Sequence, residues 1–236
     1  MSGRVQARGR ALGLVAAALL VGCPLLIGCR GKGEAAGAPG PFPKAPVVLI
    51  TIDTLRSDRL PAYGYRKVAT PALDALRSDS VLFSRAYSNV PLTLPSHASL
   101  LSGRLPGYHG VRDNSGYRFR AERTPYLPAL LHDAGYRTGG AVSAFVLRAE
   151  TGLATGFDAY DSSIDVRASE SLGNSQRPGK QTVQSALAWL RGADVENQPF
   201  FLFVHLYEPH TPYAPDEPFK SRYADPYDGE VATADA

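Results

Sequence analysis

The chain has 236 residues, with 25 Lys and Arg against 22 Asp and Glu and an ordinary hydrophobic share. That is room for one medium domain with a sizeable core plus extensions. Arg4, Arg8 and Arg10 account for the formal excess of +3, so the remainder is balanced and carries no basic field of the kind nucleic-acid binding needs. Both cysteines, Cys23 and Cys29, lie near the N-terminus, which leaves the rest without a disulfide, a thiolate metal ligand or a cysteine nucleophile.

Residues 1–10 form a basic region, and Ala11 to Gly28 is an apolar run broken only by glycines, Cys23 and Pro24. This is the pattern of a secretory signal. Leu26-Ile27-Gly28-Cys29 resembles a bacterial lipobox, whose cysteine is lipidated and becomes the mature N-terminus. Leu20-Val21-Gly22-Cys23 fits the same pattern; Cys29 is preferred because it ends the apolar run and a soft linker follows. An uncleaved anchor is the alternative, although the run is barely long enough to span a bilayer. The expected organisation is a signal peptide over 1–29, a flexible Gly/Ala/Pro tether over 30–45 and an α/β domain over 46–236. An exported lipoprotein held on the periplasmic side of a bacterial envelope is the corresponding location.

Val47 to Ile52 is a continuous β-branched apolar run, which predicts a central strand buried on both faces. It ends at Asp53, the place where open α/β sheets put ligand groups. Thr70-Pro71 predicts a helix through Ser78, and Val81 to Tyr87 reads as a second strand. In Pro91-Leu92-Thr93-Leu94-Pro95, the prolines hold an extended approach to a helix that Gly103 stops. Thr93 is thereby placed just before a helix N-terminus, where the free N–H groups favour an anion or a developing alkoxide.

A polar loop follows from Tyr108 to Asn114. Thr124-Pro125 predicts a helix through Leu131, and Tyr136 to Val142 a strand ending at Ser143. Gly152 to Asp161 reads as a loop, 162–180 as a mobile insertion, and Gln181 to Arg191 as a helix with Val183, Leu187 and Leu190 on its packed stripe. Pro199 to Leu206 is the other clear buried strand, running into His205, Glu208-Pro209-His210 and Thr211-Pro212-Tyr213. Asp225-Pro226 predicts the cap of a last helix. Strands alternating with helices argue an α/β domain with a largely parallel sheet.

The segments Val47 to Tyr65, Thr93 to Asn114, Leu127 to Val142 and Phe200 to Tyr213, in that order, resemble the N-terminal part of a sulfatase, of the alkaline-phosphatase superfamily. The fold the resemblance implies is a largely parallel sheet flanked by helices, incomplete at the C-terminus of this chain. It implies hydrolysis of sulfate, phosphate or phosphonate esters with a divalent metal, Ca2+ in a sulfatase-like site and Zn2+ or Mn2+ in a phosphodiesterase-like one. Its substrates are small anionic esters, including those of glycans and lipids; nothing in the sequence gives an oligomeric state.

Sulfatases mature a Cys or Ser to formylglycine at the first position of a motif whose fifth is Arg. Here Thr93 takes the first position and His97 the fifth. Thr cannot become the aldehyde, so no formylglycine is expected. The superfamily's phosphodiesterases use Thr as a nucleophile, which metal coordination activates; the resemblance therefore makes Thr93 nucleophile and metal ligand. It makes His97 a hydrogen-bonding partner of the nucleophile or ester oxygen, and Asp53 the first metal carboxylate, followed by Thr54 where sulfatases have a second Asp. Asn114, Ser143 and His210 align with substrate-contacting positions, Ser143 standing where relatives carry Lys and His. The family's later Asp-His or Asp-Asn pair has no counterpart here, which points to a fragment. A transferase acting on envelope lipids or glycans, or a non-catalytic remnant, are the alternatives.

Overall fold

The computed structural model describes residues 43–165, 175–193, 195 and 197–236. The signal segment with Cys23 and Cys29, nearly all of the tether, and 166–174 of the expected insertion lie outside the described residues.

Four strands form one parallel sheet: β1 (Val47–Ile52), β2 (Arg137–Val142), β3 (Ala159–Asp161) and β4 (Phe200–Leu206), in the spatial order β1-β4-β2-β3. Around it run α1 (Pro71–Ser78), α2 (Thr93–Ser102), α3 (Pro106–His109), α4 (Leu127–Asp133), α5 (Gly179–Gly192), α6 (Phe219–Arg222) and α7 (Pro226–Asp235). Parallel strands need crossovers that return over a sheet face, and the intervening helices supply them.

β4 explains the layering. Successive side chains point to opposite faces. Phe201 and Phe203 pack with Leu94, Ala98 and Leu101 of α2 on one side, while Leu202, Val204 and Leu206 pack with Ala186, Trp189 and Leu190 of α5 on the other. Its unbroken apolar run is therefore the signature of a strand covered twice.

β1 departs from that expectation. It pairs only with β4 and lies at the edge of the described sheet. Val48 and Ile50, in register with Leu202 and Val204, are 51% and 56% exposed because α5 lies over the other strands and not over β1.

Residues 81–87 form no strand. No neighbouring strand among the described residues pairs with them, and Tyr87 is 86% exposed. A β-prone run becomes a strand only where a neighbour completes its ladder.

In α5 the buried positions are Gly179, Thr182 and Ala186. Of the expected stripe only Leu190 packs; Val183 and Leu187 are 40% and 43% exposed. Gly139 of β2 leaves room for the indole of Trp189, so the helix turns its Thr182, Ala186 and Trp189 side to the sheet.

Helix ends are mostly as the sequence suggests. α7 has Asp225 as its cap, accepting from Tyr227 N at 3.1 Å. α1 starts at Pro71, yet its free N–H groups at Ala72 and Leu73 donate to Asp235 of α7, at 3.0 and 2.8 Å, rather than to Thr70. α4 begins at Leu127, two residues after the Thr124-Pro125 pair. Among the described residues no helix is long and apolar enough to cross a membrane.

Candidate active site

β1, β2 and β4 run in the same direction, so their C-terminal ends share one edge of the sheet. The pairing continues one step past the strands: Asp53 N donates to Leu206 O at 2.9 Å and Ser143 N to His205 O at 3.0 Å. This fixes the backbone of Asp53 beside the end of β4, where an open parallel sheet places its ligands.

α2 reaches the same edge. Leu92 is extended, Thr93 is itself the first helical residue rather than the one before it, and Gly103 ends the helix in a left-handed conformation. Leu94, Ala98 and Leu101 are fully buried and seat the helix on the core. Thr93 thus stands at a held helix start, and its Oγ1 donates to Asp53 Oδ2 at 3.0 Å. Asn114 braces that start, its Oδ1 accepting from Leu94 N at 2.8 Å.

His97, one turn along, is buried. Its Nδ1 lies 2.7 Å from Thr93 O and its Nε2 3.0 Å from Thr51 Oγ1. Burial first, and the neighbouring His205 second, push its pKa down to about 4, so the ring is neutral at physiological pH. His205 is fully buried, edge-on to His97 with ring centroids 4.9 Å apart. Its Nε2 stands 3.6 Å from Asp53 Oδ2, beyond hydrogen-bond length, and neither ring nitrogen has a hydrogen-bond partner. Burial alone raises the Asp53 carboxyl; the attraction of His205, then of His97, and the Thr93 hydroxyl outweigh it and hold its pKa below the ordinary value.

The opposite wall comes from the segment after β4. His210 stacks on Tyr207 at 4.2 Å, and its N–H donates to Glu230 Oε2 at 3.0 Å. Thr54, next to Asp53, adopts φ +48° and donates its hydroxyl to Pro209 O. The cleft is open to solvent and has a volume of about 620 Å3, and Asp53, Thr54, Thr93, His97, Asn114 and His210 all line it.

The family model for Sulfatase matches residues 46–236, the whole of the expected domain. The chain belongs to the sulfatase family. It is 31% identical over 154 residues to human N-sulphoglucosamine sulphohydrolase, covering 63% of this chain and 28% of that one. Among solved structures it resembles the phosphonate monoester hydrolase of Agrobacterium radiobacter, with a TM-score of 0.58 and 23% identity over 75% of this chain and 44% of that one. It also resembles a protein solved with its substrate D-glucosamine-2-N,6-O-disulfate, with a TM-score of 0.60 and 20% identity over 72% of this chain and 36% of that one. The chain therefore spans less than half the length of each of these three proteins, and the structural likenesses speak to the fold.

Of the six sequence-predicted site residues of this sulfatase-family domain, Asp53, Thr93, His97, Asn114 and His210 come together in one cleft. Ser143 does not. It is fully buried, its hydroxyl 2.7 Å from Thr182 Oγ1 under α5, so it faces a helix rather than the cleft. Its backbone continues the sheet ladder while its side chain belongs to the opposite layer. The sequence names His205 at the end of a strand and Thr54 in place of a second Asp without giving either a place in the site, and it singles out nothing at Thr51. A lone imidazole on the Phe201–Phe203 side of an otherwise apolar strand is the signal that marks His205.

The donor chemistry bears on a divalent cation. Asp53 and Thr93 present a carboxylate and a hydroxyl 3.0 Å apart, with an unpartnered buried imidazole beside them. They fit as part of a ligand set, since a hard cation takes six or more oxygens. Among the described residues no three His, Cys, Asp or Glu side chains are grouped to complete it.

Proposed function

We propose that this domain is the nucleophile-bearing part of a sulfatase-family ester hydrolase, with Thr93 Oγ1 as the attacking atom. The observation that carries this reading is the 3.0 Å hydrogen bond from Thr93 Oγ1 to Asp53 Oδ2 in the cleft. A carboxylate held ionised can take the hydroxyl proton as Oγ1 bonds to the tetrahedral sulfur or phosphorus and the bond to the leaving oxygen breaks. Water then opens the Thr93 ester and releases the inorganic anion. With its Oδ1 engaged by Leu94 N, Asn114 has its NH2 left to donate to a non-bridging oxygen. His210, on the facing wall, is the second candidate for that contact. Asp53 and Thr93, with further donors, would hold a divalent cation, which would supply positive charge against the developing alkoxide and the non-bridging oxygens.

Sulfate esters, including those of sulfated glycans, are the class the family and its sugar-bound neighbour support. Thr93 in the formylglycine-precursor position and the phosphonate-hydrolase neighbour extend the reading to phosphate and phosphonate esters. Transfer to a lipid or glycan hydroxyl would use the same nucleophile with a different acceptor.

Assays of aryl phosphate and aryl sulfate hydrolysis, with and without chelator, test the reading. Thr93→Ala is expected to lose activity at least about a thousandfold, as loss of a covalent nucleophile does. Aryl sulfate turnover undiminished in Thr93→Ala would sink the assignment. We also propose export and acylation at Cys29; mass spectrometry finding an unmodified Met1, or the acyl group on Cys23, would refute it.

A further inference from the structure

We propose that Thr54 is a positioning residue that ties the His210 wall of the cleft to Asp53. The inference rests on the reading of the cleft as an anion site.

Thr54 has an unusual backbone for its side chain. A β-branched residue at φ +48° is a genuine outlier, because Cβ crowds the carbonyl oxygen in the left-handed region, where Gly, Asn and Asp are at ease. Outliers of this kind persist where surrounding contacts over-determine them, and they concentrate at functional sites. The contacts here are specific. The hydroxyl donates to Pro209 O, the carbonyl of the residue just before His210. The Thr54 carbonyl accepts from Tyr227 Oη at 2.8 Å, and that oxygen in turn accepts from Arg56 N at 2.9 Å. Thr54 is therefore pinned through its backbone by α7, and its side chain is turned towards the segment after β4.

The consequence for the cleft is geometric. Asp53 and Thr93 form one wall, fixed by β1 and α2; His210 forms the other. On the α7 side, Glu230 accepts from His210 N and Ala214 N, at 3.0 and 2.6 Å, and holds this segment from behind. The Thr54 hydroxyl binds it from the β1 side, one residue before His210 and one residue after Asp53. Thr54 thus sets the spacing across which an anion is gripped. A glycine would satisfy the backbone without strain but has no donor, which accounts for a threonine at a position its φ disfavours.

Two substitutions separate the tether from the backbone. Thr54→Gly and Thr54→Asn both suit a left-handed φ, and only Asn keeps a side-chain N–H able to reach Pro209 O. The full chain is examined by hydrogen–deuterium exchange over residues 207–214 and by calorimetric titration with orthophosphate. Thr54→Gly is expected to raise exchange in that segment and to weaken orthophosphate binding by roughly tenfold, about the effect of one hydrogen bond. Thr54→Asn is expected to stay near the unsubstituted chain in both. If Gly and Asn behave alike, or if exchange rises while affinity holds, the positioning role is overturned. If the unsubstituted chain binds no orthophosphate, the cleft reading falls and this role with it; the exchange contrast then still reports on the tether by itself.

Discussion

His97 of α2 and His109 of α3, which packs against α2, carry their protons on opposite nitrogens. Thr93 O can only accept, so His97 donates from Nδ1 and its Nε2 accepts from the Thr51 hydroxyl. Val111 N can only donate, so His109 accepts at Nδ1 and donates from Nε2 to Ser99 Oγ at 2.9 Å. Burial lowers the pKa of both rings, so each is neutral at pH 7 with its tautomer set by a backbone group. Nitrogen-15 spectra should show the Nδ1–H form for His97 and the Nε2–H form for His109. Ser99→Ala strands a buried donor and is expected to cost about 1–3 kcal/mol in chemical denaturation.

Glu230 sets a pH response. Burial raises its carboxyl above the ordinary value of 4.5, despite the N–H groups of Ala214 and His210. For an acid with a raised folded pKa, the folded state holds more protons than the unfolded chain. Its contribution is most favourable below pH 4.5 and is lost as pH rises through the folded pKa. Glu230→Gln should flatten the fall in unfolding free energy with rising pH just above 4.5. The slope is the readout, because the amide leaves one N–H facing an NH2.

At the scale of elements, β2 shows how a sheet face accepts a helix. A Cβ on Gly139 would lie 2.5 Å from the indole of Trp189 on α5, and one on Gly140 would lie 2.5 Å from the Tyr160 ring of β3. Gly139→Ala is expected to destabilise the fold by about 1–3 kcal/mol, the usual effect of overpacking, seen as a lower denaturation midpoint with an unchanged m-value. Such contacts also mark where sequence reading succeeded and failed. β4, β2 and α7 were legible because their signals are local: a doubly apolar run, a glycine-bounded run, an Asp-Pro cap. The edge position of β1, the unpaired 81–87 segment and the buried side of α5 depend on which neighbours lie alongside, and local pattern carries no such information. The site divides in the same way. Asp53, Thr93, His97, Asn114 and His210 sit in motifs read along the chain, whereas His205 and Thr54 matter through contacts with residues on other elements. For Ser143 the motif position gives the strand end but not the face its side chain takes, which is towards Thr182.

At the scale of the whole molecule, the last helix clasps the first strand's exit. Tyr227 bonds Thr54, Asp225 and Asp228 bond Arg59 at 2.8 and 3.0 Å, and Asp235 caps α1. Among the described residues nothing pairs with the far edge of β1, and Val48 and Ile50 remain exposed beside it. An apolar edge strand invites pairing with another chain. Ile50→Lys is therefore expected to lower self-association in sedimentation velocity without lowering the melting temperature; unchanged association would show that the edge is inert. The same strand constrains the order of events in time. β1 is made early, yet its one partner among the described strands begins at Phe200, and the sheet closes only when β4 slides between β1 and β2. Pairing over so much intervening chain is slow, because the loop must be closed before any contact rewards it. On a ribosome, the Val47–Ile52 run would wait, extended and apolar, until nearly the whole of this sequence has emerged.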